Sequence, residues 1–447
     1  MSGGGESSED SLRVYGRASR RRRREWVEAI ERVIRVPLAD VVRENALVHL
    51  PPAAATRLRL VHPAWARRMS SPLFAVAHAA ASRRISGVFV PSAGFLPFDE
   101  DDTVPSPSLF FVPASSDLVV LSSSHGVACC FSPADDAYAV CNPATASWTA
   151  VPSPPHRSWP RPAIVVLFDT SAYNFRGDYT LVCPFESAPG SGAYCFQVFT
   201  SGAGSWWVTD AMTPAEGLVA ASGVAAGGTA WWRTSIGTAV GYNPVTGSVE
   251  LVIYPGDSDQ WEIGSAAGRL HCAVCDGRDV VVFRLHEHGI WEEATRVAVA
   301  EILQPSQPEP ARAAASAEIV ASQQPAPSHE HALAEDESSD ESDTDEDEEE
   351  DEGSRAVVAA ANAPLRLDDG VRLLGFQGVE VEVVVLAGRR LVAFDPRTRR
   401  RRDVAVPDEV DARWDGAEYA AHTNTLALVA PTILAPEPPA DQEVASS

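Results

Sequence analysis

One turn, written three times at near-equal spacing, constrains this chain more than any other feature. Residues 137–148 read A-Y-A-V-C-N-P-A-T-A-S-W, residues 238–249 read T-A-V-G-Y-N-P-V-T-G-S-V, and residues 390–401 read R-L-V-A-F-D-P-R-T-R-R-R. Each is an apolar run, then Asn or Asp, Pro, a variable residue and Thr, then a returning run. The side chain of Asn142, Asn243 or Asp395 can close an Asx-turn, and Pro143, Pro244 or Pro396 fixes φ at the next position. From Asn142 to Asn243 is 101 residues, and from Asn243 to Asp395 is 152. A Pro/Ala/Ser/acid-rich stretch of 52 residues, 304–355, lies inside the second interval, and its removal leaves 100. Midway through each interval stands a variant hairpin: Y-C-F-Q-V-F at 194–199 before Trp206-Trp207, and D-V-V-V-F at 279–283 before Trp291. The unit is therefore about 50 residues, a blade-sized period. Residues 85–430 less the insert leave 294, enough for six or seven four-stranded blades. A β-propeller is predicted, with an irregular β-sandwich as the alternative.

The chain of 447 residues has room for a second part. The formal charge of −25 is uneven, because residues 335–352 hold fourteen acids and no base. Such a run cannot bury apolar area to offset chain entropy, so 304–355 is expected to be a disordered insert in a surface loop. Ser338, Ser342 and Thr344 within it each precede an acid by three residues, a pattern that suits an acid-directed kinase. The acidic balance argues against a nucleic-acid partner. No apolar run of about 18 residues occurs, so no membrane partner is expected, and the polar start lacks the apolar core of a secretory signal. Seven thinly spread cysteines do not read as a disulfide framework. Localisation in nucleus, cytoplasm or both is expected, with the five arginines at 20–24 as an import patch or a solubilising flank.

Before residue 85 the texture is helical. Residues 1–24 are polar with a basic end. Trp26, Ile30, Val33 and Ile34 then form one helical stripe. Asp40 can cap a helix over 41–49 with Val41, Val42, Leu47 and Leu50 buried. Pro51-Pro52 breaks it, a helix with Ala55, Leu58 and Val61 follows, then a segment with Trp65 and Met69, then a helix over 73–81. Three or four helices of this size cannot bury all their apolar side chains alone, so some should face a partner or the next domain. The predicted division is 1–24 disordered, 25–84 helical, 85–303 and 356–431 propeller around the 304–355 insert, and 432–447 a disordered tail.

The helical residues resemble the F-box. Leu38-Ala39-Asp40-Val41-Val42 opens the pattern, L-V-H-L-P-P at 47–52 is its middle, and R-L-R-L-V-H-P-A-W at 57–65 closes it, with S-S-P-L-F at 70–74 as the tail. Ala39, Ala46 and His62-Pro63 depart from the family's usual residues. The later region is similar to the kelch-like, F-box-associated repeats of plant F-box proteins. The likeness is carried by H-G-V-A-C-C at 125–130 and G-R-L-H at 268–271. The resemblance implies a substrate receptor of an SCF-type ubiquitin ligase. Leu38, Val41, Val42, Leu47, Leu50, Pro51, Leu58, Val61 and Trp65 would dock on an Skp1-like adaptor, and through it a cullin. The propeller would hold an unknown target protein. The chain itself would carry no catalysis, since ubiquitin transfer happens on other subunits.

Chemistry of the chain's own finds little support. Cys272 and Cys275 form a lone C-x-x-C; on a strand, residues three apart face opposite sides and make a poor chelate. No metal or cofactor is expected, and no phosphate-binding glycine motif or nucleophile elbow is present. Trp206, Trp207, Trp231 and Trp232 are candidates for a target-binding mouth, one of each pair being expected at least partly exposed. The repeat turns are read as structural and away from the target. Two alternatives stay open: a ligand-binding propeller or enzyme with an N-terminal helical interaction element, and an F-box scaffold acting outside a ligase.

Overall fold

Asn142, Asn243 and Asp395 each close the hairpin between the two outermost strands of a four-stranded antiparallel sheet. The Asn142 Oδ1 accepts from the Ala144 N–H at 2.9 Å, that of Asn243 from Val245 at 2.9 Å, and that of Asp395 from Arg397 at 2.8 Å. These are Asx-turns, and Pro at the following position holds φ where the turn needs it. In the computed structural model the described residues are 46–81, 84–114, 118–157, 162–286, 289–304, 370–411, 414 and 418–433.

Sheets of four strands occupy residues 119–151, 165–214, 224–253, 260–298 and 371–405. The fourth takes one more strand, Phe376–Gly378, parallel to Gly264, Ser265 and Ala266. A sixth sheet is assembled from both ends of the fold: Gly94–Pro97 pairs with Gly87–Val90, which pairs with Ala420–His422. Cores between successive sheets close the ring. Phe131 and Val140 of the first pack on Ile164 and Val166 of the second. Val182 and Phe196 pack on Trp232 and Tyr242, and Trp231 on Trp261 and Ile263. Val280 and Val282 meet Val384, Val385 and Val88, and Phe89 with Phe95 meets Ala128 and Cys130. The fold is a six-bladed β-propeller. Because both faces of a blade are covered, strands such as Val127–Ser132 are buried at every position, which explains why simple polar–apolar alternation is missing from the sequence.

Among the described residues the helical part is three short helices, α1 at Pro52–Leu58, α2 at Pro63–Met69 and α3 at Pro72–Ala81, preceded by a 3₁₀ turn at Leu47–His49. Each α-helix starts on Pro, whose φ and missing N–H suit the first turn. The departure His62-Pro63 acts locally: the His62 imidazole Nδ1 accepts from Ala64 N–H at 3.1 Å and caps α2. Leu47, Ala55, Met69 and Phe74 form the centre, flanked by Leu50, Leu58, Trp65 and, from far along the chain, Leu426. Residues 1–45, with Leu38, Val41, Val42 and the predicted first helix, lie outside the described residues, as does the insert beyond Gln304.

After Ala420–His422 the chain is described as far as Ile433; residues 434–447, the rest of the expected tail, lie outside the described residues. The chain runs as a strap from the sixth blade over the first to the second. Thr425 donates to the His125 carbonyl at 2.7 Å, Ala430 N–H to the Gly177 carbonyl at 3.0 Å, and Thr432 N–H to Thr149 Oγ1 at 3.0 Å. This corrects the expected boundary at 432, since Thr432 and Ile433 are fixed by blade residues. Gly126 is fixed by the same contact: its φ is +89°, and a Cβ there would lie 2.2 Å from Thr425 Oγ1.

Asn142 is fully buried under the strap, donating from Nδ2 to the Thr425 carbonyl at 3.1 Å and the Ala427 carbonyl at 2.7 Å. Asn243 makes only local turn bonds and one long contact to Thr229. Asn142→Ala should therefore cost about 2–4 kcal/mol, from two orphaned buried carbonyls and the lost turn. Asn243→Ala should cost about 1 kcal/mol or less. Equal costs in chemical denaturation would refute the assignment of an anchoring role to Asn142.

Candidate functional site

The inner strands surround a channel that widens at one face into a cavity of about 1000 Å³. Its wall comes from hairpin turns of several blades, with Ala80 of α3 and Thr423 of the strap at the side. The helical unit and the cavity thus share one side of the propeller. Farther in along the inner strands lies a separate, smaller cavity of about 110 Å³, where Arg233 Nε holds both Glu262 oxygens at 3.0 Å. Burial nevertheless pushes the Glu262 carboxyl above its ordinary pKa, against the pull of Arg233.

A loop of the second blade, residues 169–178, projects into the cavity mouth. Asn174 is buried and staples it: Nδ2 donates to the carbonyls of Asp169 (2.8 Å) and Asp178 (2.9 Å), and Oδ1 accepts from Asp178 N–H at 2.7 Å. Asp169 Oδ1 takes the Ser171 N–H at 2.8 Å. Gly177 sits at φ +77° against the strap, where a Cβ would lie 2.3 Å from the Leu428 carbonyl. On this fixed frame Tyr173 is 91% and Phe175 53% exposed, with Arg176 beside them. Exposed aromatics on a stapled loop, next to an arginine and beside a concavity, are the chemistry of interface hot spots. Val245, 90% exposed, adds to the same mouth with Pro244. Sequence reasoning missed this loop. Its signal was a ten-residue polar interruption with Asn and Gly between two strong strands.

The tryptophans are elsewhere. Trp231 and Trp232 are both buried, a correction to the expectation that one of each pair is exposed. Neighbours on the strand do face opposite sides, but Trp232 packs on the second blade and Trp231 on the fourth. The Trp232 indole donates to the Ala163 carbonyl at 3.0 Å. Trp206 and the exposed Trp207 lie on the outermost strand of the second blade, on the perimeter, with Trp206 Nε1 donating to the Pro152 carbonyl at 2.7 Å. None of the four lines the cavity. The repeat turns, read as structural, do close hairpins, yet Pro244 also belongs to the cavity wall. Cys272 and Cys275 are buried on opposite faces of the fourth blade, one toward the third blade and one toward the fifth. Among the described residues no group of three or more His, Cys, Asp or Glu could hold a metal ion.

Of the candidate adaptor residues, Leu47 is buried, Leu50, Pro51, Leu58 and Trp65 are half-buried around it, and Val61 is 65% exposed. Leu60 (90%) and Leu73 (54%), which the sequence pattern did not single out, are exposed on the same helical unit.

Between that unit and the fifth and sixth blades lies a polar cleft of about 430 Å³. His78 is buried at its edge; its Nδ1 accepts from Leu426 N–H at 3.3 Å, so Nε2 carries the proton it gives to the Leu50 carbonyl at 2.9 Å. Burial lowers its pKa, consistent with this neutral tautomer. Burial likewise pushes the Asp102 carboxyl up to about 6, although Arg84 and Arg402 pull it down. Asp102 thus folds more readily protonated than ionised. Its penalty is absent below the unfolded value near 4, grows as pH rises and is complete above about 6. Asp102→Asn should raise stability at pH 7.5 by about 2 kcal/mol and change little at pH 4. Melting curves of both proteins at the two pH values test this; a pH-independent difference would contradict it.

No family model and no curated protein matches the sequence. Solved structures similar to the chain include virginiamycin B lyase from Staphylococcus aureus, at 9% identity over 66% of this chain and 72% of that one, with a TM-score of 0.31. AztD from Citrobacter koseri is 10% identical over 70% and 75%, with a TM-score of 0.31. YCF48 bound to D1 peptide is 11% identical over 68% and 71%, also at 0.31. At such scores the propeller rests on its own strand order, and these neighbours lend nothing to function.

Proposed function

We propose that this chain is a non-catalytic binding protein, the substrate receptor of an SCF-type ubiquitin ligase, whose helical unit docks an Skp1-like adaptor while the propeller cavity holds a target protein. The observation that carries this reading is the pairing of two unlike surfaces on one side of the fold. One is a small helical unit with exposed Leu60, Val61 and Leu73; the other is a cavity with the stapled aromatic loop. Exposed apolar side chains grouped on a unit this small mark a protein interface.

Co-purification tests both halves. Leu60→Asp with Val61→Asp changes exposed side chains only, unlike any change at Leu50, which would also disturb the helical core. It should weaken adaptor binding at least about 30-fold, roughly 2 kcal/mol, if these are central contacts. Tyr173→Ala with Arg176→Glu should weaken target capture to a similar degree and spare the adaptor. Adaptor binding undiminished in the first variant overturns the docking assignment; target capture undiminished in the second overturns the cavity as the receptor site.

A further inference from the structure

All 36 basic residues of this sequence are arginine, and none of its 447 residues is lysine. Lysine is among the commonest residues of soluble proteins. If each basic position were lysine only one time in four, a set of 36 without any would arise with a frequency of about 3 × 10⁻⁵.

The fold explains some of these arginines. Arg402 bonds Glu382 and the Ile85 carbonyl while buried, and Arg233 grips Glu262 with its planar guanidinium. Geometry of that kind is not open to lysine. Other positions make no such demand. Arg57 on α1, Arg278 in a turn of the fourth blade and Arg400 in the outer hairpin of the fifth are exposed. Among the described residues their guanidinium groups make no hydrogen bond or ion pair. A lysine would be as soluble and as well accommodated there. Folding therefore does not account for the missing ε-amines.

What lysine has and arginine lacks is a nucleophilic amine. In ubiquitin transfer the ε-nitrogen attacks the carbonyl carbon of a ubiquitin thioester. The new N–C bond forms as the C–S bond breaks, the thiolate leaves, and the amine's surplus proton passes to solvent. Guanidinium stays protonated and delocalised and does not attack. Cysteine offers little substitute, since six of the seven thiols are buried.

We propose that the chain is built to escape ubiquitin transfer onto itself, so that the receptor persists while the target held in its cavity is modified. This rests on the ligase reading above. In cells, the full chain would be compared with a variant carrying Arg57→Lys, Arg278→Lys and Arg400→Lys, which keeps every charge. The readouts are hydroxylamine-resistant ubiquitin on the chain, its half-life with and without proteasome inhibition, and adaptor co-purification. The expected result is no such ubiquitin on the natural chain, ubiquitin at the introduced lysines, and a half-life at least threefold shorter, restored by the inhibitor. Equal modification of both chains, or no modification of the lysine variant, overturns the proposal. Adaptor binding is read separately, so lysine-dependent modification without adaptor supports the escape while removing the ligase reading. Should the triple variant melt lower than the natural chain, Arg278→Lys alone gives the same comparison.

Discussion

Glu382→Ala is expected to destabilise the propeller by about 3–5 kcal/mol, more than any other single substitution considered above. Both partners of the Arg402–Glu382 pair are only 5% exposed at their side chains, 2.6 Å apart. The second Glu382 oxygen accepts the Ile85 N–H at 2.7 Å, and Arg402 also donates to the Ile85 carbonyl at 2.8 Å. The pair therefore fixes the chain where it enters the sixth blade, and Asp99 at 3.2 Å and Asp102 at 3.8 Å are the remaining counter-charges. Removing Glu382 leaves a buried guanidinium short of one anion and an amide without an acceptor. The melting temperature should fall by roughly 5–10 °C. Adding Arg402→Met should recover part of the loss, because an apolar replacement removes the stranded charge. A fall of under about 1 °C would show that the pair contributes nothing net.

Ending the chain after Glu418 should have a still larger effect. That truncation removes the inner strand of the sixth blade and the whole strap. It leaves one edge of Gly87–Val90 unpaired, strips the Asn142 amide of both carbonyls and takes Leu426 from the helical core. The expected product has β-rich circular dichroism but no cooperative melting transition, since a ring with an open seam exposes the facing cores of two blades. A control ended after Ile433 should melt within about 2 °C of the full chain. A cooperative transition in the shorter protein near that of the control would show that the seam is not what closes the ring.

Much of this was legible because it is local. The Asx-Pro turns at Asn142, Asn243 and Asp395 depend on four consecutive residues. Their spacing gave the blade period, and the opposite orientation of Cys272 and Cys275 follows from strand geometry alone. What escaped the sequence is non-local. Nothing near Gly87 announces a partner at His422, and nothing near Asn142 announces Thr425 and Ala427. The burial of both Trp231 and Trp232 depends on neighbouring blades covering two faces, a fact of packing between units rather than of pattern within one. The loop at the cavity mouth was missed for a related reason. Tyr173, Phe175 and Arg176 resemble any polar turn until Asn174 and the strap are seen to fix them.

The way the sixth blade is assembled also sets a clock. The strand Gly87–Val90 and its inner partner Ala420–His422 are separated by about 330 residues. At a synthesis rate of about 5–20 residues per second, one edge of a wholly apolar early strand waits roughly 15–65 s for its neighbour to be made. Five blades can stack in that interval, each on the one before. The ring itself closes only when the last strand has left the ribosome, so the nascent chain carries an open, sticky edge for most of its synthesis.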